Sequence, residues 1–162
     1  MSITPRLLIA TTLLLAGAAT AGAQTTVFVE GLGNGLLYSL NAERAITPHL
    51  SGRVGVNYVL ASTDDLSAEL SLIPVMVTAF AGRGTHRAEF GVGTYGVIGT
   101  LRDAEGSEFG GNAGGFTSAV GYRYGRPAGG LSLRGTLTAS YIPRGGWFYL
   151  PGASVGYTFG RR

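Results

Sequence analysis

The stretch Leu131-Ser132-Leu133-Arg134-Gly135-Thr136-Leu137-Thr138-Ala139-Ser140-Tyr141 decides how this chain is read. Leu131, Leu133, Leu137, Ala139 and Tyr141 fall on one face in steps of two; Ser132, Arg134, Thr136, Thr138 and Ser140 fall on the other. A period of two is the mark of a strand with one buried face. The apolar face can meet a protein core or lipid, and that choice sets the kind of protein.

The pattern recurs. Strand-like segments are expected at about 25–33, 36–45, 50–60, 67–80, 87–101, 116–124, 131–142 and 151–159. In the second, Tyr38, Leu40 and Ala42 alternate with Ser39, Asn41 and Glu43. In the third, Leu50, Val54, Val56, Tyr58 and Leu60 alternate with Ser51, Arg53, Gly55 and Asn57. The fourth sets Leu70, Leu72 and Met76 opposite Glu69 and Ser71, and Pro74 implies a local break in pairing. The last sets Ala153, Val155, Tyr157 and Phe159 opposite Gly152, Ser154, Gly156 and Thr158. Several segments reach the roughly 9–11 residues a tilted membrane strand needs.

Composition favours lipid outside. Only 13% of residues are charged, against roughly 25% in soluble domains. Gly supplies 28 of the 162 residues. The polar face is mostly Gly, Ser, Thr and Ala, whereas a soluble exterior carries many charges of both signs. A secreted, lipocalin-like barrel that binds an apolar ligand is the soluble alternative. Lysine is absent, and a formal charge of +3 gives no basis for nucleic-acid binding. Without Cys there are neither disulfides nor thiolate metal sites.

Residues 1–23 read as a signal peptide. Arg6 precedes the apolar stretch 7–16, and Ala21-Gly22-Ala23 is a small-x-small cleavage site. Residues 24–162 then form one domain, an all-β, eight-stranded antiparallel up-and-down transmembrane β-barrel. Its expected place is the bacterial outer membrane, reached by export. Connections after strands two, four and six are tight. Those after strands three and five are longer and acidic, with Asp64, Asp65, Asp103, Glu105 and Glu108; the one after strand seven carries Trp147-Phe148-Tyr149. Gly33-Asn34-Gly35 makes a short hairpin turn. Short inner turns and longer outer loops suit an outer-membrane barrel.

The chain resembles the small eight-stranded outer-membrane barrels of the OmpA/OmpX kind. More narrowly, Val29-Glu30-Gly31-Leu32-Gly33-Asn34-Gly35-Leu36-Leu37-Tyr38-Ser39-Leu40-Asn41 is similar to a set of small secreted bacterial barrels without assigned activity. So are Ile73-Pro74-Val75 and the later Gly82-Arg83-Gly84-Thr85-His86-Arg87-Ala88-Glu89-Phe90-Gly91-Val92-Gly93. The resemblance spans nearly the whole mature chain and implies fold and location rather than activity. Barrels of this kind often end on Phe; here Gly160-Arg161-Arg162 follows Phe159.

The expected site is the polar face. Glu43, Arg53, Glu69, Arg87, Glu89, Arg123 and Arg134 should pair inside the barrel, because an unpaired charge there is costly and Arg suits bidentate pairing. Two aromatic girdles are expected where rings meet the membrane–water interface. Phe80, Phe90, Tyr122, Tyr124, Tyr157 and Phe159 would form the periplasmic one. Tyr58, Phe116, Tyr141 and Trp147 would form the outer one.

His49-Leu50-Ser51 matches the His and Ser spacing of barrel lipid A deacylases, which makes a membrane-embedded hydrolase the catalytic alternative. No acidic orienter stands at matching spacing, and activated serine needs one. No catalysis, metal or cofactor is therefore expected. The partners expected are outer-membrane lipid, lipopolysaccharide and the barrel-assembly machinery, with the chain acting as a monomer.

Overall fold

A computed structural model of the chain describes residues 24–63, 66–103, 107–126, 128–143 and 145–160. The expected signal peptide lies outside them. Eight strands run in order: β1 (Thr25–Leu32), β2 (Tyr38–Thr47), β3 (Leu50–Ser62), β4 (Leu66–Ala81), β5 (His86–Asp103), β6 (Glu108–Gly125), β7 (Gly130–Ile142) and β8 (Gly146–Phe159). Each pairs antiparallel with its neighbour in sequence, and β1 pairs with β8 to close the barrel. The seam runs from Thr25 opposite Phe159 to Leu32 opposite Gly152. It includes a hydrogen bond of 2.9 Å between the hydroxyls of Thr26 and Thr158. Closure removes the free edges that an open sheet would expose.

The alternation sorts the side chains as the β7 pattern implies. Ser132, Arg134, Thr138 and Ser140 are buried inside, while Leu131, Leu133 and Leu137 are exposed outside. The same sorting puts Val27, Val29, Leu40, Val77, Val92, Val120 and Val155 on the outer surface.

Four elements differ from the sequence reading. The long outer loops are largely absent, because β4, β5 and β6 run for 16, 18 and 18 residues and carry the chain outward as sheet. Asp103 and Glu108 end strands; Asp64, Asp65 and Glu105 lie outside the described residues. Trp147, Phe148 and Tyr149 belong to β8.

The fourth strand is phased oppositely to expectation. Leu72 and Met76 point into the barrel and are almost fully buried. Glu69 stands opposite Leu60 in register, on the outer face. The cause is local: residues 72–77 are Leu-Ile-Pro-Val-Met-Val, apolar on both faces, so periodicity leaves the phase open. Pro74 does interrupt pairing with β3, which stops at Val54–Val75 and resumes at Asn57–Leu72 without a shift of register.

The Gly33-Asn34-Gly35 segment is a one-turn 3-10 element whose three residues are all buried, not a surface hairpin turn. Asn34 turns into the barrel. Its Nδ2 donates to Met76 Sδ at 2.7 Å, and its Oδ1 accepts from Thr117 Oγ1 at 2.5 Å. Asn57 Nδ2 donates to Gly35 O at 2.6 Å and to Tyr38 O. The flanking Leu32 and Leu36 have φ of 61° and 65°, in a left-handed region that costs residues with a Cβ.

Candidate functional site: the charged barrel interior

Six strands send a charged side chain into the barrel, each at a position fixed by the two-residue period. Glu30 comes from β1, Glu43 from β2, Arg53 from β3, Glu89 from β5, Arg123 from β6 and Arg134 from β7, and all are buried. Three carboxylates face three guanidinium groups.

They form two groups. In the first, Arg53 pairs with Glu30, while its Nε donates to Asn41 Oδ1 at 3.0 Å. Ser39 links the same residues: its hydroxyl donates to Glu30 Oε2 at 3.5 Å and accepts from Asn41 Nδ2 at 2.8 Å. In the second, Arg123 holds Glu43 in a two-pronged contact, Nη1 to Oε1 at 2.5 Å and Nη2 to Oε2 at 2.7 Å. Its Nε donates to Glu89 Oε2 at 3.0 Å. Arg134 Nη2 donates to Glu43 Oε2 at 2.8 Å, and its Nε lies 3.4 Å from Glu89 Oε1. Each carboxylate in this second group therefore serves two arginines.

Aromatic rings share the space. The guanidinium carbons of Arg53 and Arg134 lie 4.9 Å and 4.2 Å from the centre of the Phe28 ring. Those of Arg87 and Arg123 lie 5.2 Å and 4.4 Å from the centre of Phe80. These distances suit attraction between a cation and a ring face. Phe80 is thus an interior residue rather than part of a membrane girdle. The phase error in β4 that misplaces Glu69 misplaces Phe80 as well.

Of the seven expected interior charges, the structure brings together Glu43, Arg53, Glu89, Arg123 and Arg134. Arg87 points inward but is only half-buried, opposite Arg123 in register. Glu69 is outside. Glu30 completes the set and is missing from the sequence expectation, although the alternation that sends Val27 and Val29 outward sends Glu30 inward.

The remaining expected aromatics, Tyr58, Phe90, Phe116, Tyr122, Tyr124, Tyr141, Trp147, Tyr157 and Phe159, project outward. Two ring pairs mark the two ends: Tyr157 with Phe159 at 4.8 Å, and Tyr141 with Trp147 at 5.3 Å. His86 joins the first end, against Tyr124 at 5.4 Å. His49 is exposed in the turn between β2 and β3, whereas Ser51 is buried inside the barrel. Among the described residues, no group of three His, Asp or Glu is placed to hold a metal ion.

No protein-family model and no curated protein sequence matches the chain. Solved structures do. The N-terminal β-barrel domain of OprF from Pseudomonas aeruginosa aligns with a TM-score of 0.66 at 14% identity, covering 86% of this chain and 98% of that one. A major outer membrane protein from Thermus thermophilus aligns with a TM-score of 0.58 at 16% identity, covering 85% and 99%. Ail, the attachment invasion locus protein of Yersinia pestis, aligns with a TM-score of 0.55 at 7% identity, covering 86% and 100%. At these identities the likeness concerns the fold alone. The chain has the fold of the small eight-stranded outer-membrane β-barrels.

Proposed function

We propose that this is an outer-membrane barrel with a structural or surface-interaction role, no catalysis and an interior closed by its own ion pairs. The carrying observation is the Glu43–Arg123–Arg134–Glu89 cluster, in which opposite charges from four strands meet across the barrel axis. An aqueous pore would leave such charges solvated on its walls. Here the guanidinium groups are buried against carboxylates and phenyl rings, in a barrel size whose interior side chains can fill. The outer surface supports lipid as its neighbour, since its strands present aliphatic residues bounded by aromatic rings. In this reading residues 1–23 direct export and are removed. The turns after β2, β4 and β6 face the periplasm, the opposite end meets lipopolysaccharide, the assembly machinery inserts the chain, and it works as a monomer.

Planar-bilayer recording with the purified protein tests the closed interior, with cell fractionation and heat-modifiable gel migration testing the location. The expected results are no steady single-channel current and a heat-modifiable species in the outer membrane. Steady ohmic conductance that Arg134→Met alters would replace the closed interior with a pore.

A further inference from the structure

The tall wall formed by β3 to β6 changes character partway up. In the membrane belt its outer face is aliphatic, and its inner face sets Arg53, Thr78, Glu89, Thr117 and Arg123 beside Met76 and Phe80. Beyond Leu72 and Tyr95 the inner face becomes aliphatic. Phe109 stands opposite Leu101, Val59 opposite Leu70, and Val97 opposite Ala113, all on the face that Leu72 and Tyr95 share. The outer face at the same height carries Glu69, Ser71, Thr100 and Asn112 among its residues. A sheet standing in water should turn its polar side out and cover its apolar side. This wall does the first in part, with Leu60 and Ile98 standing among the outward polar residues, but on the inner side Phe109 and Leu101 remain 68% and 48% exposed. Beside them lies a cavity of about 690 Å³ lined by Val59, Leu70, Val97, Leu101, Phe109 and their small neighbours, with Glu69, Thr100 and Asn112 also contributing to its wall.

We propose that this outer vestibule binds the hydrocarbon tail of a single-chain amphiphile, such as a long-chain fatty acid, taken up from the aqueous side. The large lining side chains on the inner face, Val59, Leu70, Val97, Leu101 and Phe109, are all apolar, so affinity must come from apolar contact. The cavity volume falls in the roughly 300–1,000 Å³ range of small-molecule sites. An amphipathic helix is too wide, because two turns with side chains sweep roughly 850–1,200 Å³. Entry from the bilayer would take a tail across the polar outer face of the wall, so the open end is the way in. The proposal rests on the membrane orientation given above, and goes beyond it in naming a ligand class. Gly111 faces this space with nothing within 4 Å of where its Cβ would be, so a larger residue there would fill the site without crowding the barrel.

The experiment is tryptophan quenching by a brominated C18 fatty acid, with the full mature barrel in nanodiscs. Trp147→Phe removes the native tryptophan. Phe109→Trp then reports on the vestibule, and Val120→Trp, in a second protein, reports on the lipid belt. The expected result is quenching of Trp at 109 that saturates near one quencher per barrel, while the Val120 reporter is quenched in simple proportion to quencher in the lipid. Adding Gly111→Phe should abolish the saturable phase and leave the lipid response intact. Proportional quenching at both positions, or saturation unchanged by Gly111→Phe, would overturn the proposal. If the Val120 reporter escapes quenching, the membrane reading itself fails. Heat-modifiable migration of each variant confirms the folded barrel.

Discussion

Glu43→Gln removes one charge and leaves the side chain's shape. In the parent, three buried carboxylates balance three buried guanidinium groups. Glu43 alone accepts three charge-assisted hydrogen bonds, at 2.5, 2.7 and 2.8 Å, from Arg123 and Arg134. After substitution both arginines depend on Glu89, which reaches Arg134 Nε only at 3.4 Å. Breaking a buried pair from one side costs roughly 3–5 kcal/mol, because it strands the partner's charge. The expected loss is near the upper end of that range, since two partners are stranded together. Urea unfolding of the barrel in lipid vesicles, extrapolated linearly to zero denaturant, measures it. Glu43→Gln with Arg134→Met removes one charge of each sign and should recover part of the loss, a coupling on the order of 0.5–3 kcal/mol. A single-mutant cost below about 1 kcal/mol would match solvated ion pairs. The interior would then be wet, and the argument for a closed barrel would fail.

Three further outcomes are expected. Leu137→Arg, on the outer face of β7 beside Val120 and Pro151, should lose roughly 2–4 kcal/mol in vesicle unfolding; no loss would place Leu137 away from lipid. Gly156→Ala should cost about 1–3 kcal/mol as overpacking, because the added methyl would overlap Phe28 and the Val27 carbonyl. Gly96→Ala, where a methyl meets nothing, should stay within about 0.5 kcal/mol, and equal effects in the two would refute the packing argument. Asn34→Ala should lose about 1–3 kcal/mol in the same titration through its lost buried contacts with Thr117 and Met76. It should also speed amide exchange in residues 33–37, and unchanged exchange would show that Asn34 does not hold the turn inside.

Much of this fold is legible because strand periodicity is insensitive to what surrounds the strand. β7 and β8 alternate cleanly, and the interior arginines at 53, 123 and 134 follow from counting by twos. The reading fails where chemistry on the two faces is alike. The run 72–77 is apolar on both, so Glu69 and Phe80 exchange sides with Leu72 and Met76. Near Gly110, Gly111, Gly114 and Gly115 small residues define no face at all, and the tall part of β6 reads as loop. Asn34 is a different case. Its partners, Met76 and Thr117, are 42 and 83 residues away, and Gly-Asn-Gly looks the same whether it turns outward or folds in. Glu30 is available from its own strand and carries the general lesson that the interior set must be counted from every strand.

The ion pairs also bear on how the barrel can be assembled. Partners in the interior are separated along the chain by 23, 34, 80 and 91 residues, and the closing strands by 132 at Thr26 and Thr158. The hairpin of β5 and β6 pairs Glu89 with Arg123, but two other hairpins hold interior charge of one sign only. The hairpin of β1 and β2 carries Glu30 and Glu43 without an arginine from the interior set, and that of β6 and β7 carries Arg123 and Arg134 without a carboxylate from it. Piecemeal entry into a bilayer would expose those charges to hydrocarbon, whereas concerted closure cancels them. Such long separations slow folding, because loop entropy is spent before contacts form. The network that stabilises the finished barrel is therefore also a kinetic gate: it disfavours half-inserted states and makes closure the step on which productive insertion waits.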